Sequence, residues 1–241
     1  MKEGVFRFKK FSVSHIASSM KVGVDGVLIG AWGNVNGLSG LDIGCGCGLI
    51  ALMAAQRNEN SLITAIDIDQ DSVDEALSNF RLSPWSKRLF VKKCSAEVFT
   101  KSPDNREKFD FILSNPPFFN AGKNILTSAR EKARHDGELS PQSLIDLSSI
   151  LLKKGGRLSF IMPAQRIDDL KIPSNLFLEK VCLIADKPDK TPKRVMMTLI
   201  KSLSKIKATF PVEKETLHIR NQNSEYSAQY KTLTQDFYLD F

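Results

Sequence analysis

The sequence predicts a doubly wound α/β fold around a mostly parallel sheet, on three observations. From about Leu38 onward, strand-like apolar runs alternate with helix-like segments, which is the pattern of βαβ units. The first of these runs, Leu41–Ile43, passes straight into the glycine-rich turn Gly44-Cys45-Gly46-Cys47-Gly48, and open α/β sheets bind nucleotides at such a turn. The length of 241 residues suits one α/β domain with modest extensions: an N-terminal extension over 1–36, a core over 37–201 and a C-terminal extension over 202–241.

Each element has its own justification. After the glycine turn, 49–56 is an amphipathic helix. Leu62–Ile66 is a second strand ending at Asp67, and a helix follows over 71–80 with Asp71 or Ser72 as N-cap. Leu89–Lys93 is a third strand and Phe109–Leu113 a fourth, which ends in Ser114-Asn115-Pro116-Pro117-Phe118. Residues 119–138 are polar and aperiodic and read as a long loop, a length usually kept for functional lids or disorder. Ser140-Pro141 opens a helix that should run to about Lys154, where Gly155-Gly156 stops it. Arg157–Met162 is a fifth strand. Leu176–Ala185 and Val195–Lys201 then flank a Pro-rich turn, a further sheet edge is expected near 217–220, and a short helix within 227–238 is docked by its aromatics.

Composition narrows the class of function. Hydrophobic residues make up 42% and charged residues 25%, ordinary for a globular chain. No apolar run approaches the roughly 18–20 residues that span a bilayer, and the charged N-terminus is not a secretory signal, so a cytoplasmic, monomeric protein is expected. The four cysteines show neither disulfide-framework nor zinc spacing; no metal is expected, and they read as small buried residues. The net charge of +7 fits either a solvated basic surface or a polyanionic partner. Its clusters lie at Arg7 to Lys10, Lys87 to Lys93, Arg130 to Arg134 and Lys187 to Arg194.

The glycine-rich turn marks the cofactor site. Gly44, Gly46 and Gly48 let the backbone turn tightly and approach a ligand, although a lone glycine loop is a weak signal and a dinucleotide remains an alternative. Asp67 ends the next strand, where an acidic residue binds ribose hydroxyls in related folds, and Ile68 is placed to pack on an adenine face. Asp42 either bonds a ligand amino group or orients the loop. Ser95-Ala96-Glu97 is placed to contact adenine, Glu97 reading equally as a solvated helix start.

Asn115-Pro116-Pro117-Phe118 carries the chemistry. An exocyclic amino nitrogen on a planar base is a poor nucleophile, because its lone pair is delocalised into the ring. Two acceptors aimed at its N–H bonds favour pyramidal nitrogen: the side-chain oxygen of Asn115 and the backbone carbonyl of Pro116. Pro-Pro offers its carbonyls from a rigid backbone without competing donors, and such preorganisation is where the rate comes from. Phe118 is placed to stack on an extruded base, with Phe119 behind it. Attack then runs in line on an electrophilic methyl group. The competing reading of Asn-Pro is a plain turn.

Together these residues resemble the Rossmann-like class I methyltransferases with an N-P-P-F motif, which implies S-adenosylmethionine as cofactor and a seven-stranded sheet with a late antiparallel hairpin. The flanks resemble bacterial tRNA1(Val) (adenine-37-N6)-methyltransferases in three places: Phe8 to Val13 with Met20 to Trp32, Pro192 to Val195, and Leu217 to Phe241. The resemblance spans nearly the whole chain and implies N6-methylation of adenine in a tRNA anticodon stem-loop. It makes Lys21, Gly23 and Asp25 cofactor-pocket residues in a segment that covers the cofactor. It also places Arg130 and Arg134 of the long loop, with Lys193 and Arg194 of the late hairpin, against RNA. His135 receives no catalytic role. Val24 departs from the family, which has Thr there. A guanine-N2 ribosomal RNA methyltransferase and a non-catalytic RNA-binding protein on the same scaffold are the competing readings.

Overall fold

The computed structural model describes residues 4–18, 20–117, 139–203 and 211–241. Among them, eight strands form one sheet: β3 (Ser39–Ile43), β4 (Leu62–Asp67), β5 (Leu89–Lys93), β6 (Phe109–Ser114), β7 (Leu152–Pro163), β8 (Leu176–Ala185), β9 (Arg194–Lys201) and β10 (Glu213–His218). Their order is β10-β8-β9-β7-β6-β3-β4-β5. Strand β9 runs antiparallel to both β7 and β8, and every other pairing is parallel. The seven strands from β5 to β8 make the expected sheet with its antiparallel hairpin. An eighth, β10, extends the edge, beginning before the 217–220 stretch where an edge is expected.

Helices cover both faces because the inner strands are apolar on both sides. On β6, Phe111 and Leu113 face the layer of α1 (Val24–Trp32), α2 (Leu49–Arg57) and α3 (Gln70–Leu82), while Ile112 faces the layer of α4 (Ala96–Lys101) and α5 (Pro141–Leu151). A small hairpin of β1 (Val5–Arg7) and β2 (Ser12–Ser14) lies outside the sheet. It is joined to the C-terminal end, where α6 (Ala228–Thr234) is followed by a buried Phe237. Phe8 packs within stacking distance of Phe11 and Tyr238, and Lys9 Nζ donates to the carbonyls of Gln235 and Phe241 at 2.7 Å each.

Two local expectations are corrected. The N-cap of α3 is Asp69, not Asp71 or Ser72: its carboxylate accepts from Ser72 N at 3.0 Å and Ser72 Oγ at 2.8 Å. Helix α5 stops at Leu151, three residues before Lys154, because Glu107 N and Lys108 N take the carbonyls of Ile150 and Leu151. The chain enters β7 at once, and Gly155, with φ of 79°, lies within the strand. There the register jumps from Phe109↔Leu152 to Phe111↔Arg157, so the glycine pair makes a bulge and not a helix stop.

Candidate active site

Because β3, β4, β6 and β7 are parallel, their C-terminal ends share one edge of the sheet, and the site is built there. A cavity of about 310 Å³ opens at this edge. One wall is the chain from Met20 to Gly26, less Val22; a second is Gly44 to Cys47 with Leu49 and Ile50; Asn115 closes the third side.

The glycine loop is shaped for close approach by a ligand. Gly44 and Gly46 have φ of 71° and 52°, and a Cβ on either would point into open space with no protein atom within 4 Å. Gly48 is constrained from the other side, since its Cβ would lie 2.5 Å from Cε1 of Phe80. Two carboxylates lie at this turn, one bonded to the loop and one to the helix that follows it. Asp67 Oδ2 accepts from Gly46 N at 2.8 Å, and its Oδ1 from Asp69 N at 3.0 Å. Asp42 Oδ2 accepts from Ala51 N at 3.1 Å in the first turns of α2, and its Oδ1 has no partner.

Both carboxyls titrate above their usual range. Burial pushes Asp42 up to about 7, against the lowering effect of the Ala51 N–H and with a further rise from Asp67. Burial also raises Asp67, against the N–H groups of Asp69 and Gly46. Asp42 is 1% exposed and is not part of the cavity wall.

At the end of β6, Asn115 is buried and its Oδ1 has no hydrogen-bond donor among the described residues. An orphaned acceptor of this kind is costly unless a ligand satisfies it. Pro116 is buried beside it and Pro117 half-buried. Phe118, Phe119, Arg130, Arg134 and His135 lie outside the described residues.

The remaining predicted residues divide into groups. Lys21, Gly23 and Asp25 come together on the cavity wall with Asn115, Gly44 and Gly46, and Val24 stands among them, while Gly48 lies off the wall. The Lys21 ammonium is turned onto its own segment, donating to the carbonyls of His15 at 2.7 Å and Ile16 at 2.9 Å. Ile68 is exposed just beyond Asp67. Ala96 is buried at the start of α4 behind its N-cap Ser95, and Glu97 is exposed. Arg194 is paired within the chain: its Nε donates to Asp25 Oδ2 at 2.9 Å. Lys193 is exposed next to it.

The residues missed by sequence reasoning are Glu75 and Asn79 on α3. Both are buried polar side chains on the inward face, beside the buried Ala76 and Phe80. Their signal was a carboxylate and an amide at i, i+4 spacing where an amphipathic helix should present apolar groups.

A mostly parallel sheet with one reversed strand near its edge, a glycine loop after its first strand and an Asn-Pro-Pro turn after its fourth define a class I methyltransferase. The family model described as Methyltransferase small domain matches residues 27–168. The chain is 37% identical over 241 residues to the tRNA1(Val) (adenine(37)-N6)-methyltransferase of Mannheimia succiniciproducens, covering 100% of this chain and 96% of that one. It is 38% identical over 242 residues to the protein of the same name from Bacteroides thetaiotaomicron, with 97% of each covered. The chain belongs to the tRNA1(Val) (adenine(37)-N6)-methyltransferase family. Its fold is shared by the crystal structure of a predicted O-methyltransferase from Agrobacterium tumefaciens, with a TM-score of 0.67 at 18% identity over 88% of this chain and 96% of that one.

Proposed function

We propose that this protein transfers the methyl group of S-adenosylmethionine to N6 of adenine 37 in the anticodon loop of tRNA1(Val). The observation that carries the reading is the buried, unpartnered Oδ1 of Asn115 on the wall of a cavity floored by the glycine loop. That acceptor suits an amino N–H, and the open directions above Gly44 and Gly46 suit a cofactor lying against the backbone.

In this reading Gly44, Gly46 and Gly48 form the bed of the cofactor, with Asp67 and Ile68 toward its adenosine end and Ala96 beside them. Asp42 supports the bed from behind. Lys21, Gly23 and Asp25 form the opposite wall. When bound, S-adenosylmethionine supplies a methyl group on a positively charged sulfur, already activated for displacement. Asn115 Oδ1 and the Pro116 carbonyl each accept one N–H of the target amino group, so its lone pair points at the methyl carbon. Phe118 stacks on the flipped base. No general base is needed, since the proton is lost from a product that is already cationic. The net charge of +7 supports a polyanionic partner, with Phe119, Arg130, Arg134 and Lys193 as the RNA-contact set of the reading and Arg194 bracing the cavity wall through Asp25.

Transfer of labelled methyl groups to total tRNA and to ribosomal RNA from cells lacking the protein tests this directly. Nucleoside mass spectrometry should find N6-methyladenosine in the tRNA fraction. N2-methylguanosine in ribosomal RNA would overturn the acceptor, and no transfer to any RNA would overturn the enzymatic reading.

A further inference from the structure

Between β2 and α1 the described residues form no helix or strand, so their N–H groups need partners from elsewhere. Glu75 supplies them. Its Oε1 accepts from Ser14 Oγ at 2.9 Å, Ile16 N at 2.6 Å and Ala17 N at 3.2 Å, and its Oε2 accepts from Ser18 N at 2.8 Å. Three successive backbone N–H groups thus converge on one carboxylate, as in an anion-binding nest whose anion is built into the protein.

One turn further along α3, Asn79 reaches in two directions. Its Oδ1 accepts from Ser14 N at 2.9 Å, while its Nδ2 donates to the carbonyls of Ser14 and Cys47, each at 2.8 Å. Cys47 belongs to the glycine loop. A single buried amide, 2% exposed, therefore joins the two segments that form opposite walls of the cavity. The N-terminal segment is also closed on itself, by the Lys21 ammonium on the carbonyls of His15 and Ile16 and by His15 Nδ1 accepting from Val22 N at 3.0 Å. Where Glu75 and Asn79 hold one end of this closed loop, Lys21, Gly23 and Asp25 follow at the other.

We propose that Glu75 and Asn79 are positioning residues for methyl transfer, fixing the wall that carries Lys21 to Asp25 at a set distance from the glycine loop. The inference rests on reading the cavity as the S-adenosylmethionine site. Neither residue lines the cavity: Asn79 bonds the carbonyl of Cys47, which does, and Glu75 holds residues 14–18, which lead into the wall that begins at Met20. Burial alone would raise the Glu75 carboxyl, but the Ser18 N–H, the Ser18 and Ser14 hydroxyls and the Ile16 N–H outweigh it and hold the group down at about 2. The clamp is consequently charged throughout the neutral range, and its bonds are of the stronger, charge-assisted kind. Such bonds suit a wall that must stay in register while ligand and RNA come and go.

The test compares Glu75→Gln and Asn79→Leu with Lys9→Met, which loosens the same N-terminal extension at its contact with the C-terminal end, away from the cavity. Three readouts are needed: the calorimetric Kd of S-adenosylhomocysteine, the split between KM for S-adenosylmethionine and kcat on tRNA, and the thermal midpoint. Glu75→Gln, which removes bonds to a charged group, and Asn79→Leu, which leaves buried backbone groups unpaired, should each raise the Kd and the KM about tenfold, with kcat at saturating cofactor within about threefold. Glu75→Asp, which keeps the charge and shortens the reach, should fall between, and it serves as the readout if Glu75→Gln does not fold. Lys9→Met should lower the midpoint and leave KM unchanged. If the Glu75 and Asn79 variants lower the midpoint as Lys9→Met does and leave KM and Kd alone, the two residues are structural only and the proposal falls. Absence of S-adenosylhomocysteine binding to the unaltered protein would instead remove the cofactor reading beneath it.

Discussion

Arg194 Nε lies 2.9 Å from Asp25 Oδ2, which ties the first residue of β9 to the first turn of α1 on the cavity wall. The pair joins the cavity wall to the hairpin whose turn carries Lys187, Lys190 and Lys193. Because both side chains are partly exposed, at 37% and 28%, the bond itself contributes little to global stability, about 0.2–1 kcal/mol. Its consequence is local. Arg194→Gln should raise the Kd for S-adenosylhomocysteine about threefold or more, while Lys193→Gln should leave it unchanged and instead flatten the salt dependence of tRNA binding by roughly one unit of log–log slope. Calorimetry and a salt titration on both variants separate the two roles. Equal effects of the two substitutions would contradict the division.

The buried carboxyl of Asp42 makes a pH prediction with a definite sign. Its folded-state pKa, about 7, is raised from 3.8, so the folded state resists ionisation. The contribution of the neutral acid to stability is complete below the unfolded value and is lost as pH rises through about 7. Asp42→Asn keeps a neutral acceptor for Ala51 N and has no proton to lose. Relative to the unaltered protein, the variant should gain in thermal midpoint between pH 5 and pH 8 when both are measured without ligand. A constant difference across that range would show that Asp42 is not the group responsible.

Gly46 and Gly48 should fail in different ways when a methyl is added. Gly46→Ala pays the backbone cost of positive φ, about 1–2 kcal/mol, and places its methyl in the open space that a ligand would occupy. Gly48→Ala carries the same strain and a methyl 2.5 Å from the Phe80 ring. Denaturant unfolding should therefore show the greater loss for Gly48→Ala. Gly46→Ala should lose more cofactor affinity than its loss of stability explains. The opposite ranking in unfolding would mean that Phe80 moves aside freely.

Much of the fold could be read from the chain because its inner strands and glycine turn are local signals. Leu89–Lys93 and Leu176–Ala185 have the bounds their apolar runs predict. The end of α5 could not be read in that way. Gly155-Gly156 is a good local helix stop, and what ends the helix at Leu151 is a pair of N–H groups from Glu107 and Lys108, distant in sequence and invisible to periodicity. The same holds for the site. Asn115 and the glycines announce themselves by motif, and the structure gathers Asn115, Gly44 and Gly46 around one cavity with Lys21, Gly23 and Asp25. The partner of Arg194 and those of Glu75 and Asn79 lie 169 residues and 32 to 65 residues away respectively, so the i, i+4 polar pair on α3 could be noticed in the chain but its partners could not.

The central claim is that Asn115 acts on the amino group and not on the cofactor. It is tested most directly by measuring single-turnover methyl transfer to tRNA alongside the calorimetric Kd for S-adenosylhomocysteine in Asn115→Ala. The account predicts that the rate falls by about 100-fold or more, as for removal of one preorganised transition-state partner, while the Kd changes by less than about threefold. A matching loss of cofactor affinity, or a rate that survives the substitution, would contradict it.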